Sequence, residues 1–425
     1  MLAFLAVALL QASPPAQAGE SPPIVVTGTR LEDDRARLEA CLARHCSTLE
    51  DIAATLRYAE NLFVSGDYQE ARQILSRSID RNRSESPRYP RAVASLYRGH
   101  ARVGIHLGEP EVYRRSSHAI LRSLSDGLPA DSTDVLLGRL EVGDMHLGLA
   151  NARQAQLSYE RTQRAAREAG QPGIAALAQL RMAWLRHLVG QTQEARRELD
   201  RMIEAPAAGE SAVYRLAARV VLARIARSEG DAETLDALIT ERGREPPSET
   251  LTLIWSPPIG GERPVRVFRE EPRLAISEIG GEGFAGRWAD IGYWVRPDGT
   301  VHDAEVLRIE GSDRWTKPLL RSIAGRLYAP FQDEAGSPGR YRIERFTFTS
   351  LWVRSLQSRI PRRSGIPRIE SLDLTPPAEP VEQEGPRSMC GFGFHTPEVE
   401  RGLTVTRLAG LSNWSASVPS PRRPR

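Results

Sequence analysis

Five short turns recur at almost constant spacing between residues 51 and 242, and that regularity constrains the fold more than any single motif. Ser65-Gly66-Asp67-Tyr68, Leu107-Gly108-Glu109-Pro110, Leu149-Ala150-Asn151-Ala152, Val189-Gly190-Gln191-Thr192 and Glu229-Gly230-Asp231-Ala232 follow one another at 42, 42, 40 and 40 residues. A fixed period of this size marks stacked supersecondary units, each too small to bury its own apolar face. Each turn lies between two segments with helical periodicity. Seven positions before the central Gly or Ala of each turn stands a small residue: Ala59, Ala101, Gly143, Ala183 and Ala223. Five positions after it stand Ala71, Tyr113, Ala155, Ala195 and Leu235. Small side chains at fixed offsets are what closely crossing helices need. Residues 51–242 are therefore expected to form an all-α helical-repeat solenoid of five helix pairs.

The run Gly66-Asp67-Tyr68-Gln69-Glu70-Ala71 and the small residues around it resemble the tetratricopeptide family. That family's unit is about 34 residues, so the longer period here assigns extra length to the links at 83–90 and 127–133. The resemblance implies a concave surface lined by the first helix of each pair. Aligning the turns puts Glu60, Arg102, Asp144, Trp184 and Arg224 in one column on that surface, with Arg98 one helical turn before Arg102. Arginine clasps carboxylates and tryptophan anchors in desolvated pockets, so the column, expected to be exposed, is the candidate site for an extended peptide; the alternative is ordinary solvated charge on a helix face.

The pattern breaks at 243–258, rich in Pro and Ser, and residues 243–288 read as a linker. Beyond it the period becomes two: Ile291, Tyr293 and Val295 share one face, Asp298-Gly299 forms a turn, and 301–309 returns as a second strand. Trp315, Leu319, Ile323 and Leu327 then recur at helical spacing, and 341–348 alternates as a last strand. Strand, Asp-Gly turn, strand, helix, the exit Tyr328-Ala329-Pro330-Phe331 and a final strand resemble the C-terminal domain of TonB over 289–351, which implies a small α+β domain. By the same resemblance the last strand, with Tyr341, Ile343 and Arg345, is the open edge that pairs with a partner strand, and TonB-dependent receptors or TonB itself are the implied partners. The usual Asn-Pro-x-Leu-Asp before the helix is replaced by Gly311-Ser312-Asp313-Arg314-Trp315, and neither the membrane anchor nor the Pro-rich spacer of an energy-transducing TonB is expected before the domain.

The ends of the chain read differently. Leu2 to Leu10 is apolar and Ala16-Gln17-Ala18 is a small-x-small cleavage site, so 1–18 are expected to be an export signal, although no Lys or Arg precedes the apolar run. The run is half the length a membrane span needs, and no transmembrane helix is expected in the mature chain. Residues 19–50 form a leader, in which Ile24-Val25-Val26-Thr27-Gly28-Thr29-Arg30 resembles the TonB box of outer-membrane receptors and is a candidate strand donor. Residues 352–425 hold ten of the thirty prolines within their last 71 positions and read as a Pro- and Arg-rich disordered tail. Cys41 and Cys46 close a small loop if their helix ends near Arg44; the alternatives are two buried thiols, or a metal pair with His45 that would need two further ligands.

No catalytic constellation emerges. There is no HExxH and no Gly-x-Ser-x-Gly, the glycines at 260–261 and 280–283 lack a strand-to-helix setting, and His100, His106, His118, His146 and His187 read as packing or surface residues on the repeats. No cofactor or metal is expected. The net charge of +3 leaves no basic domain for nucleic acid. The expected function is a periplasmic, non-enzymatic adaptor that binds proteins or peptides of the cell envelope, with TonB-dependent transport as the link the resemblance implies. The alternatives are an envelope enzyme and a degenerate energy transducer with only a structural role.

Overall fold

The computed structural model describes residues 30–205, 211–242, 251–259, 286–333, 337–354, 360–364 and 367–375. The chain is mostly helical, with a small sheet-containing C-terminal region. The export signal, the candidate strand donor at 24–29 and the tail beyond 375 lie outside the described residues.

A short helix, α1 (Leu31–Ala43), stops at Arg44 and the chain turns through His45 at φ 53°. This brings Cys46 back to Cys41, with Cα atoms 5.1 Å apart, and the two are joined by a disulfide. Ten helices follow in five pairs: α2 (Thr48–Ser65) with α3 (Tyr68–Asn82), α4 (Pro90–His106) with α5 (Pro110–Gly127), α6 (Thr133–Gly148) with α7 (Ala152–Glu168), α8 (Pro172–Leu188) with α9 (Thr192–Glu204), and α10 (Ser211–Ser228) with α11 (Glu233–Arg242). All five sequence turns sit at the joints within pairs. Local chemistry explains the starts. Ser47 and Glu50 form a reciprocal capping box on α2, and prolines with preset φ open α4, α5 and α8. Ala59, Ala71, Ala155, Ala183, Ala195 and Ala223 are fully buried between helices. At Gly143 even one methyl would strike the ring of Tyr159. First helices pack side by side, α2 on α4, α6 on α8 and α8 on α10.

The C-terminal region contains β1 (Leu253–Trp255), β2 (Arg287–Val295), β3 (Val301–Glu310), α12 (Thr316–Ala324), β4 (Leu327–Tyr328), β5 (Arg340–Thr349), β6 (Trp352–Arg354), β7 (Pro361–Arg363) and β8 (Arg368–Asp373). Its main sheet is antiparallel with order β3-β2-β5-β8. One face presents Ile291, Tyr293, Val295, Phe346 and Phe348 to Trp315, Leu319 and Ile323 of the α12 segment, forming one core. The opposite face carries Trp288, Asp290, Arg345 and Thr347, in register across β2 and β5. That face lies on the turn ends of the solenoid. Gly66 (φ 93°) sits against Trp288, and Gly108 (φ 71°) against Ser350, each where a side chain would collide. Both faces of the central strands β2 and β5 are thus covered, while β3 stays largely exposed.

Two expectations are corrected. The expected disordered tail at 352–425 begins with ordered structure: its described residues 352–354, 360–364 and 367–375 supply β6, β7 and β8, and β8 adds a fourth strand by pairing Arg368–Asp373 with Glu344–Thr349. Nor is 243–288 wholly a linker, because Leu253 and Trp255 pair with Tyr328 and Leu327 of β4, and β2 begins at Arg287.

Candidate functional site

The solenoid column exists, but most of it is turned inward or already paired. Arg98 of α4 grips Glu141 of α6 through the Nε and Nη2 edge of its guanidinium at 3.1–3.2 Å. Asp144 of α6 accepts from Arg181 of α8 at 2.8 and 3.1 Å and from the Tyr159 hydroxyl at 2.8 Å. These contacts join α4 to α6 and α6 to α8, so the charges stitch neighbouring units together. Glu60 is 8% exposed, Trp184 7% and Arg224 3%. Those three are corrections to the reading of one open, solvated column. Arg102 remains exposed.

At the far end Arg224 does what the sequence assigns to it, on a segment of its own chain. Its guanidinium donates to the carbonyls of Leu253 at 2.6 Å and Ile254 at 2.7 Å in β1, while Ile254 packs into the helical core. Burial lowers the Arg224 pKa to about 10, which leaves it charged at neutral pH. The first-helix surface at α10 thus holds an extended strand by its backbone.

Between these two regions α8 carries unspent donors. Trp184 Nε1 and Arg181 Nη1 are buried and have no hydrogen-bond partner among the described residues. The two residues are three apart and share a helix face. A buried N–H without an acceptor costs about 1–3 kcal/mol. A carboxylate or peptide carbonyl placed there would recover that cost. Arg181 escaped the sequence reading; its position one helical turn before Trp184 was the available signal.

The strand-pairing edge is also corrected. Tyr341, Ile343 and Arg345 lie on β5, which is interior: β2 pairs along one side and β8 along the other. Beyond β8, Leu374 and Thr375 donate to the Ile343 carbonyl, and the Ile343 N–H donates to Thr375. Tyr341 packs on Trp294 with ring centroids 4.9 Å apart. Arg345 is fully buried. It pairs with Asp290, donates to the carbonyls of Phe63 at 2.9 Å and Val64 at 2.6 Å, and lies 3.7 Å from the Trp288 ring centroid. It therefore caps the C-terminus of α2 from the sheet, and Thr347 beside it bonds the Tyr68 hydroxyl at 3.0 Å and His106 Nδ1 at 2.8 Å.

Two further polar clusters are tied up in packing contacts. Ser228 Oγ lies 3.3 Å from His187 Nε2, but it donates to the Ile225 carbonyl at 2.7 Å, and Thr192 rather than a carboxylate meets the other ring nitrogen. In the sheet domain Arg326 bonds Glu344 at 2.8 and 3.1 Å and Tyr293 at 2.8 Å inside the core. Burial alone would raise the Glu344 pKa; Arg326 holds it below the usual carboxylate range. Among the described residues no three His, Cys, Asp or Glu side chains are grouped to hold a metal ion, and no helix is long and apolar enough to cross a membrane. No protein-family model and no curated protein matches the chain.

Proposed function

We propose that this protein is a non-enzymatic adaptor of the cell envelope that captures an extended segment of another protein on the first helices of its solenoid. The observation that carries the proposal is the pair of buried donors on α8, Trp184 Nε1 and Arg181 Nη1, left without acceptors among the described residues. The neighbouring grip of Arg224 on two carbonyls of β1 supplies the mode of binding, main-chain acceptors held by a desolvated guanidinium. Location in the periplasm rests on the signal-like 1–18. The tetratricopeptide-like and TonB-like readings belong to the same proposal and rest on turn spacing and on the order strand, strand, helix, strand. Capture of a receptor strand by β5 is not carried over, because β8 occupies that side.

The test is capture from an envelope extract by the wild-type protein and by Trp184→Phe, which keeps an aromatic ring and deletes the donor. A protein retained by wild type and lost from the variant, at equal helicity, supports the site. Identical capture by both refutes it, and recovery of the protein with cytoplasmic markers and Met1 intact refutes the location.

A further inference from the structure

We propose that the β6–β7 hairpin seats the protein on a bilayer surface of anionic phospholipid. The two strands pair Trp352 with Arg363, Val353 with Arg362 and Arg354 with Pro361. Trp352 and Val353 are each 39% exposed and Ile360 is 76% exposed. These account for three of the seven large apolar side chains that are exposed among the described residues, within one short element. Arg362 is exposed beside Val353, and the Arg363 guanidinium lies 4.6 Å from the centroid of the Trp352 ring.

The charge of this stretch is one-sided. Residues 351–368 contain five arginines and no Asp or Glu, in a chain whose total is only +3. The acids that face it come from outside: Glu109 of the α4–α5 turn acts on Arg363, and Glu370 pairs with Arg368 at 2.7 Å. Arg362, exposed in the middle of β7, has neither.

An isolated two-stranded ribbon is marginal in water, and this one is fixed at its base. Trp352 N–H donates to the Gly108 carbonyl at 2.8 Å, Ser364 N–H to Leu351 at 2.8 Å, and Arg363 to the Ser350 carbonyl at 2.5 Å and Thr349 at 3.1 Å. The hairpin is therefore held against the solenoid turn, with Trp352 opposite Arg363 and Val353 opposite Arg362 on alternate faces of the ribbon, so each face pairs an exposed apolar side chain with an arginine. Exposed Trp, Val and Ile with arginine across the strand pair suit an interface that is apolar beneath and phosphate-bearing at its rim. Indole prefers that boundary, and guanidinium binds phosphate bidentately while its stem stays in apolar surroundings.

The experiment is co-sedimentation of the full chain with vesicles of phosphatidylglycerol and phosphatidylethanolamine, and with vesicles of phosphatidylcholine alone. Partition should favour the anionic vesicles and fall with added salt. Arg362→Gln should weaken that preference about fivefold, the factor equivalent to ~1 kcal/mol per basic residue near an anionic surface. Val353→Ser with Ile360→Ser should remove most of it, and both variants should melt as wild type does because the altered side chains are outside the core. Equal partition of wild type and variants overturns the proposal, as does equal binding to phosphatidylcholine. Binding to soluble polyglutamate without binding to vesicles overturns it in favour of an acidic protein partner.

Discussion

Replacing Arg345 by Ala tests how the sheet domain is held to the solenoid. The change removes the partner of Asp290, which is itself buried, and takes the donor from the Phe63 and Val64 carbonyls that end α2. Breaking a buried ion pair from one side costs about 3–5 kcal/mol. Arg308, 2.5 Å from Asp290 on its other side, still neutralises that carboxylate, so the lower end, about 3 kcal/mol, is expected. With urea slopes of roughly 1–3 kcal/mol per molar, the midpoint should fall by about 1 M or more, and fluorescence should register it because Trp288 stacks on the lost guanidinium. Hydrogen exchange should quicken at the C-terminal turn of α2. Arg345→Met combined with Asp290→Leu removes both charges and should cost clearly less than the sum of the single changes. A loss under about 1 kcal/mol for Arg345→Ala, or strict additivity in the double variant, would refute the argument that this buried pair ties sheet to solenoid.

Three further outcomes follow from the geometry. Gly143→Ala should cost about 1–3 kcal/mol by forcing the Tyr159 ring away from Asp144; an unchanged melting temperature would show that α6 and α7 can separate freely. Burial lowers the His100 pKa to about 4 and holds His106, at the sheet junction, well below its ordinary range. Both rings are then neutral when folded and titrate near 6.5 when unfolded, so stability should be complete above pH 6.5 and decline as pH falls toward 4. Urea midpoints across that window check the slope, which His100→Gln should reduce. Reducing Cys41–Cys46 opens a loop worth about 2 kcal/mol and should expose α1 to protease while leaving the solenoid melt unchanged; equal protection with and without dithiothreitol contradicts it.

The helix pairs were legible because their signals are local and repeated. A turn glycine or alanine, a small residue seven positions before it and an apolar stripe on either side all agree, and no distant contact is needed to choose between outcomes. The hairpin β2–β3 and the helix after it were legible for the same reason. β8 was not. Arg368-Ile369-Glu370-Ser371-Leu372-Asp373 follows a proline and carries alternating charge, the composition of a solvated tail, and it becomes a strand only because β5 offers it a hydrogen-bonding edge.

The site shows the same division between position and environment. Periodicity located Arg98, Asp144, Trp184 and Arg224 on one helix face, because a face is fixed by the chain's own geometry. What stands opposite each residue depends on elements 37 to 43 positions away, Glu141 for Arg98 and Arg181 for Asp144, or on the separate strand β1 for Arg224. A column of charges therefore predicts binding equally well whether the ligand is another protein or the next turn of the same solenoid. The two cases separate only when donors and acceptors are counted after the neighbours are in place. On α8 that count leaves Trp184 Nε1 and Arg181 Nη1 over, and for this reason the search for a partner should begin on that helix.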